Sequence, residues 1–430
     1  MSTVSTLLEA INRGKYDITF ARLYGGNAVF AQRQRYREAI ENFVELYGDN
    51  HDVLLFSAPG RTEIGGNHTD HNHGCVLAAA VNLDIIGVAA KTDENSIRIK
   101  SAGYRPDTID LNDLSVNPKE TNRSASLVRG VAARFAQLGY AVGGFCAYTH
   151  SNVLKGSGLS SSAAFEVLMG TILNHLYNNG CVNAVEIAKV AQYAENVYFG
   201  KPSGLMDQMA SSVGGIITID FADVDSPVIR EVSYDFRQSG HKLCIVDTGG
   251  NHAALTHEYA AVTNEMKAVS RALGVEYLRE TSYEALLENM ARIRETCGDR
   301  AVLRALHFLG DNARVAKQVE ALENGNFAEF CRLVIESGHS SFEYLQNLYS
   351  NANVKFQGLP VALALAQRIL DGTGACRVHG GGFGGTTQNF VPDNKVDEFV
   401  NTIEAVFGQG SCHRLNIRPC GGVQIIEETD

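Results

Sequence analysis

The sequence predicts an α+β protein of two domains, with a ligand site in the cleft between them. Three observations carry this. The chain has 430 residues, 45% hydrophobic and 20% charged, enough for more than one core. Strand-like alternation and helical periodicity are interspersed in both halves, as at 145–149 before 164–176 and at 386–391 before 396–407. Glycine-rich loops stand at several joints between these elements, where backbone must turn tightly or approach a ligand. The predicted division is 1–230 and 231–430, the domains meeting near 215–240, with the last strand a candidate to return to the N-terminal domain.

The elements follow in order. The first fifty residues read as helical, with Leu7, Leu8 and Ile11 and then Ile40, Phe43 and Leu46 on apolar faces. Residues 54–57 form a short apolar strand that Pro59-Gly60 should stop. A polar stretch follows at 61–74, then one or two buried strands at 76–90 and an exposed strand at 96–101. A helix at 127–139 ends at its glycine. Residues 145–150 make a strand that enters a serine loop, and a buried helical face (Ala164, Val167, Leu168, Ile172, Leu176) follows the loop. Asn183 with Glu186 reads as a capping box opening the next helix, which fades at Gly200-Lys201-Pro202. Residues 216–220, 229–234 and 242–247 read as one sheet, and 255–370 as mostly helical. Strands at 377–379, 386–391 and 422–426 and a helix at 396–407 close the chain.

Composition excludes several classes. A net charge of −11 and a pI of about 5.6 argue against nucleic acid as a partner. The nine cysteines show neither disulfide-framework nor zinc spacing, so reduced thiols in a cytoplasmic protein are expected. No stretch reads as a secretion signal, and the longest apolar run, 76–90, holds Asn82 and Asp84 and is too short to span a membrane. No membrane partner is therefore expected. Oligomeric state is not legible.

Four stretches carry chemistry. The loop Lys155-Gly156-Ser157-Gly158-Leu159-Ser160-Ser161-Ser162-Ala163-Ala164 lies between a strand and a helix start, a geometry that suits phosphate; a turn with a serine N-cap is the plain alternative. It lacks the Gly-Lys-Ser/Thr of a Walker loop. The second stretch, 60–74, holds Arg61, Asn67, His68, Asp70, His71 and His73 among glycines. Such a mixture suits a polar pocket for a sugar, a metal site, or a solvated loop. The third, 193–208, offers Glu195 at a helix end and Asp207 after a Pro-Ser-Gly turn, a base, a metal ligand or an N-cap. The fourth is Gly380-Gly381-Gly382-Phe383-Gly384-Gly385, a loop for close backbone approach.

Taken in order, the four resemble the GHMP family of small-molecule kinases, and within it the galactokinases. Gly158 to Ala163 is similar to the family's phosphate loop. Gly60-Arg61 with His68-Thr69-Asp70 resembles the galactokinase signature, and Gly204-Leu205-Met206-Asp207-Gln208 its Gly-Ile-Met-Asp-Gln run. Gly380 to Gly385 resembles the C-terminal Gly-x-Gly-Phe-Gly-Gly run, and His252 with Glu258-Tyr259 resembles the segment bearing a sugar-contacting tyrosine.

The resemblance implies a GHMP fold, with a ribosomal-S5-like N-terminal domain, a ferredoxin-like C-terminal domain and the site between them. It implies transfer of the γ-phosphoryl of ATP to the anomeric hydroxyl of galactose, with Mg²⁺. Asp207 would take the hydroxyl proton, beside Arg61. Gly156, Ser157, Gly158, Leu159, Ser160, Ser161, Ser162 and Ala163 would wrap the phosphates, and Ser162 and Glu195 would hold the metal. Asn67, His68, Asp70, Gly204 and Tyr259 would bind sugar, and Gly380, Gly382, Gly384 and Gly385 would form a structural loop. Two positions depart from the pattern: Asn67 stands where a glutamate is usual and His71 where a tyrosine is. They leave open another sugar, such as N-acetylgalactosamine or a uronic acid. A regulator that binds sugar and ATP without catalysis is a further alternative.

Overall fold

A computed structural model describes residues 2–153, 158–249, 255–351 and 354–428. A two-residue strand, β1 (Ser2–Thr3), precedes helices α1 (Val4–Asn12), α2 (Asp17–Tyr24) and α3 (Val29–Tyr47). Their buried faces, including Ile11, Phe20, Tyr36, Ile40 and Phe43, close on one side of the first sheet against Leu55, Ile86 and Val88.

Two long antiparallel strands form the spine of that sheet, β2 (Asp52–Gly65) and β3 (Cys75–Lys91). The break expected at Pro59-Gly60 does not occur. The register shifts between Pro59 and Arg61, and this irregularity absorbs a proline with no N–H for the ladder. The strand therefore carries Arg61, Thr62 and Glu63 in extended backbone rather than in a loop. After β4 (Ser96–Ser101), β5 (Asp107–Asp110) and α4 (Ser124–Gln137), β6 (Phe145–Ser151) pairs antiparallel with the second half of β3 and parallel with β4. Helices α5 (Ser161–Tyr177), α6 (Ala184–Tyr193) and α7 (Met206–Val213) follow, and then β7 (Ile216–Asp220) pairs with the first half of β3 and with β8 (Val228–Glu231).

The second sheet is antiparallel. It is built from β9 (His241–Asp247), β10 (Ala375–His379), β11 (Thr386–Pro392) and β12 (Cys412–Leu415), in the order β10-β11-β9-β12. Residues 216–247 are thus not one sheet: β7 and β8 join the first and β9 the second. Between β9 and β10 run α8 (Thr256–Ala272), α9 (Tyr283–Glu288), α10 (Met290–Cys297), α11 (Asp299–Glu323), α12 (Phe327–Ser340) and α13 (Gly358–Leu370); α14 (Val396–Phe407) follows β11. Alternation along the strands splits the packing. Cys244, Val246, Val378 and Val391 face α13 and α14, while Leu243, Ile245 and Phe390 face α11 and α12. The last strand, β13 (Val423–Ile425), pairs with β2 of the first sheet. Among the described residues no helix is long and apolar enough to cross a membrane.

A buried charge network ties both chain ends to this sheet. Asp84, in the middle of β3, is fully buried. It accepts from Arg35 Nη1 at 2.6 Å, Tyr24 Oη at 2.6 Å, Arg418 Nη1 at 3.2 Å and the Ser57 hydroxyl. Burial works to raise its carboxyl, but the two guanidiniums and the hydroxyls hold it below the usual carboxylate range. Asp84→Asn should leave two buried cations underpaired and cost about 3 to 5 kcal/mol in denaturant unfolding at neutral pH; a loss below about 1 kcal/mol would show that the network is incidental.

Candidate active site

Three segments converge at one point. Strand β2 delivers Arg61, the turn ahead of α5 delivers Gly158 to Ser160, and the first turn of α7 delivers Asp207. Arg61 Nε and Nη2 lie 2.7 and 2.6 Å from Asp207 Oδ1, and its Nη1 donates to the Gly158 carbonyl. The Arg61 amide donates to Leu159 O at 3.1 Å. The Ser160 hydroxyl donates to Asp207 Oδ2. Ser160 stands at the N-cap position of α5, but its side chain does not cap the helix, and its backbone is left-handed (φ 55°). The first amides of α5, at Ser161, Ser162 and Ala163, have no acceptor within the helix, and they mark its positive end. Arg61 is almost buried, while Asp207 keeps 29% of its side chain exposed, so one edge of the carboxylate is open. Gly156 and Ser157, with Lys155, lie outside the described residues.

A second carboxylate stands behind this group. Helix α6 runs on into a π-helical turn, Ala194–Phe199, which turns Glu195 inward and ends at Gly200. Glu195 Oε1 accepts from Ser162 Oγ at 3.1 Å and Lys201 Nζ at 2.9 Å; Oε2 accepts from Ser203 Oγ at 2.6 Å and Gln208 Nε2 at 2.8 Å. The same Gln208 amide reaches Glu166 Oε2 at 3.1 Å. Glu166 is fully buried, and burial together with the nearby Glu195 charge pushes its carboxyl well above the usual range.

The stretch after β2 divides into an open part and a closed part. The Asp70 carboxylate accepts no hydrogen bond from any described residue, and a Cβ on Gly204 would fall 2.9 Å from its Oδ2. Glycine at 204 thus lets Asp70 reach the turn that carries Asp207. Asn67, expected among the sugar-binding residues, is placed differently. It is fully buried. Its Nδ2 donates to Glu63 Oε1 (3.1 Å) and Gly380 O (2.7 Å), and its Oδ1 accepts from Ser341 Oγ (3.2 Å) and Asn347 Nδ2 (2.9 Å). Protein groups therefore fill every side-chain position it has. Its backbone is held as well, by Asp311 Oδ2 at 2.8 Å and His307 Nε2 at 2.9 Å. Glu63 in turn pairs with the fully buried Arg377, and burial raises the Glu63 carboxyl to about 6 against the pull of Arg377 and Arg61.

His68 and His71 form a short relay. His68 Nε2 donates to Gly381 O at 2.9 Å, so its Nδ1 accepts from His71 Nε2 at 3.3 Å, and His71 Nδ1 accepts from Asn72 Nδ2 at 3.0 Å. Carbonyl and amide at the two ends fix one proton on each ring. Burial lowers both imidazoles, His71 to about 4. His73 lies outside the relay and stacks on Tyr277, with ring centres 3.6 Å apart. Among the described residues no group of three His, Cys, Asp or Glu side chains is placed to hold a metal, so the histidine-metal alternative finds no support.

The glycine loop closes the site from the second sheet. Gly382 has φ 78°, and a Cβ there would lie 2.1 Å from Asn347 O, so only glycine fits. Tyr259, expected to touch sugar, donates its hydroxyl to Gly382 O at 2.7 Å and packs edge-on against Phe383 at 5.3 Å. Gly380 meets Asn67, while Gly384 and Gly385 are buried where the loop enters β11. His252, paired with Tyr259 in the sequence reading, lies outside the described residues. Sequence spacing had not pointed to Glu166, Lys201, Asn347, His307, Asp311 or Arg377. Lys201 lies inside a noticed stretch, Glu166 in the helix after the serine loop and Arg377 just ahead of the glycine loop; the long-range partners of Asn67 and Glu63 arrive from 240 or more positions away, where local pattern carries no signal.

An arginine bridging a carboxylate to a helix-start loop, with a second acidic group beside that loop, is an arrangement suited to binding phosphate next to a base. The GHMP kinases N terminal domain matches residues 126–215, and the galactokinase galactose-binding signature matches residues 41–91. The chain is 30% identical over 372 residues to galactokinase of Streptomyces coelicolor, covering 85% of this chain and 92% of that one. It is 31% identical over 369 residues to galactokinase of Actinobacillus pleuropneumoniae, with 85% and 92% covered. The structure of Lactococcus lactis galactokinase complexed with galactose superposes with a TM-score of 0.74 at 25% identity, covering 89% of this chain and 98% of that one. Methanococcus jannaschii mevalonate kinase shares the fold at a TM-score of 0.61 and 17% identity, over 86% and 98% of the chains. The chain belongs to the galactokinase family of GHMP kinases.

Two expectations separate structure from binding. Asn67→Ala removes four buried hydrogen bonds and should cost about 2 to 4 kcal/mol of stability. Asp70→Ala should change stability by less than about 0.5 kcal/mol yet raise the sugar KM by at least about tenfold. Denaturant titration and steady-state kinetics of both variants check this. The histidine relay also predicts a pH effect. His71 is lowered in the folded state, so its stabilising contribution is complete above the unfolded value of about 6.5 and is lost as pH falls toward 4. Denaturant midpoints should fall across that window, and His71→Gln should flatten the slope.

Proposed function

We propose that the protein is an ATP-dependent sugar 1-kinase that phosphorylates α-D-galactose at the anomeric hydroxyl. The products are galactose 1-phosphate and ADP. The observation that carries the reading is the Arg61–Asp207 pair beside the helix-start loop at Gly158 to Ala163. The γ-phosphoryl would lie against the free amides of α5, with the sugar hydroxyl at the open edge of Asp207. The hydroxyl oxygen attacks phosphorus, its proton passes to Asp207, and the bond to the β-phosphate oxygen breaks. Arg61 holds the Asp207 carboxylate in place and would stand next to the charge on the moving group. Ser160, now on Asp207 Oδ2, yields that oxygen to the sugar.

Ser162 Oγ and Glu195 Oε1 lie 3.1 Å apart and are both hard oxygen donors, which fits Mg²⁺; the ion would neutralise phosphate charge there. Asp70 supplies an open acceptor for sugar hydroxyls, and Gly204 the room for it. His68 and Tyr259 support the pocket wall through the glycine loop rather than through free polar atoms. Asn67 and His71 differ from the family pattern, but their bonds are to protein groups, so neither adds a charge to the pocket. This favours galactose over a uronic acid. Residues 1–230 with β13 would form the ATP- and sugar-binding domain and 231–415 its partner. Nine free cysteines fit a reducing, cytoplasmic setting.

Phosphoryl transfer needs only partial deprotonation of the acceptor, so positioning carries much of the rate. Asp207→Asn should lower kcat by about 10²- to 10⁴-fold in a coupled ADP-release assay while galactose affinity changes little. A kcat near wild type would remove Asp207 from the base role.

A further inference from the structure

Lys201 sits at the one carboxylate assigned to metal binding. Its ammonium is 2.9 Å from Glu195 Oε1, the same oxygen that meets the Ser162 hydroxyl at 3.1 Å. The two side chains of the pair differ sharply in environment, Lys201 being 57% exposed and Glu195 2%. The lysine backbone is pinned: the amides of Gly200 and Lys201 both donate to Glu195 O, at 3.1 and 3.2 Å. Ser203 Oγ and Gln208 Nε2 hold the other oxygen, Oε2. Oε1 is thus the oxygen that faces outward, toward the loop and the lysine. Glu166 stands behind Gln208, fully buried and with its Oε1 unpartnered, so Lys201 is the only cation among the described residues hydrogen-bonded to this pair of acids.

A buried carboxylate with no counter-ion is costly, and a carboxylate oxygen already paired with an ammonium is a poorer ligand for an incoming cation. We propose that Lys201 is a tethered counter-cation of Glu195, holding its carboxylate aimed at Ser162 while the metal is absent and giving up Oε1 when a divalent cation binds. This rests on the metal reading of Ser162 and Glu195. The exposed lysine stem lets the ammonium leave without disturbing the fold. The backbone anchor keeps it near Glu195. Lys201 is thus a positioning residue that competes with the metal.

The test is Mn²⁺ binding to the full chain, read by electron paramagnetic resonance in the presence of the β,γ-imido analogue of ATP, together with melting temperature without metal. Lys201→Met should bind Mn²⁺ about threefold to tenfold more tightly than wild type and melt at a lower temperature when no metal is present. Lys201→Arg, which keeps the charge, should stay close to wild type in both. If wild type binds Mn²⁺ and Lys201→Met binds it equally or more weakly, the proposal is overturned while the metal site stands. If wild type binds no Mn²⁺, the metal reading of Ser162 and Glu195 falls, and the proposal with it.

Discussion

The contact between Arg61 and Asp207 is the constraint on which the rest of the site depends. It joins residues 146 positions apart and uses two guanidinium nitrogens on one carboxylate oxygen. The third nitrogen holds the Gly158 carbonyl, and Ser160 holds the other carboxylate oxygen. The turn at Gly158 to Ser160, Asp207 and Arg61 are thereby fixed as one unit. Such preorganisation matters for phosphoryl transfer, where the protein contributes mainly position and charge. The unit stays in place because β2 continues through Pro59 and delivers Arg61 on a rigid strand.

Around this unit the protein distributes its polar groups in two ways. Some are sealed. Asn67, Glu63, Arg377, His307 and Asp311 satisfy one another between β2, α11 and β10, and the histidine relay binds the 68–72 turn to the glycine loop. Others remain open, notably Asp70 and one edge of Asp207. A sealed network fixes the walls of a pocket without reading its contents, whereas an open carboxylate can discriminate between hydroxyl geometries. The position where relatives are expected to carry a glutamate is filled here by a neutral amide. That amide sits beside the Glu63–Arg377 pair, where a second acid would face Glu63.

Much of this was legible in the sequence, and what was missed has physical causes. Helices α5, α6 and α14 follow from apolar periodicity, and the Asn183 cap accepts from Glu186 as its spacing suggests. The end of β2 was misread because Pro59-Gly60 is usually a stop; a register shift is a tertiary accommodation that local pattern does not show. Strands β5 and β12 are four residues each and largely polar, so alternation is weak. Assigning β9 to the wrong sheet reflects the same limit, since strand partners are set by long-range pairing. At the site, motif order brought Arg61, Ser162, Glu195 and Asp207 to notice. It did not reveal that Asn67 faces inward, because its partners Ser341 and Asn347 come from a segment 274 and 280 positions away.

The central claim is that this geometry moves a phosphoryl group to the anomeric oxygen of galactose. Phosphorus NMR of a reaction with Mg-ATP and galactose tests it most directly. The account predicts loss of the γ-phosphate signal and the appearance of a sugar phosphate coupled to the anomeric proton, in step with ADP. A phosphate ester on another hydroxyl, or ATP left intact in the presence of galactose, would contradict it.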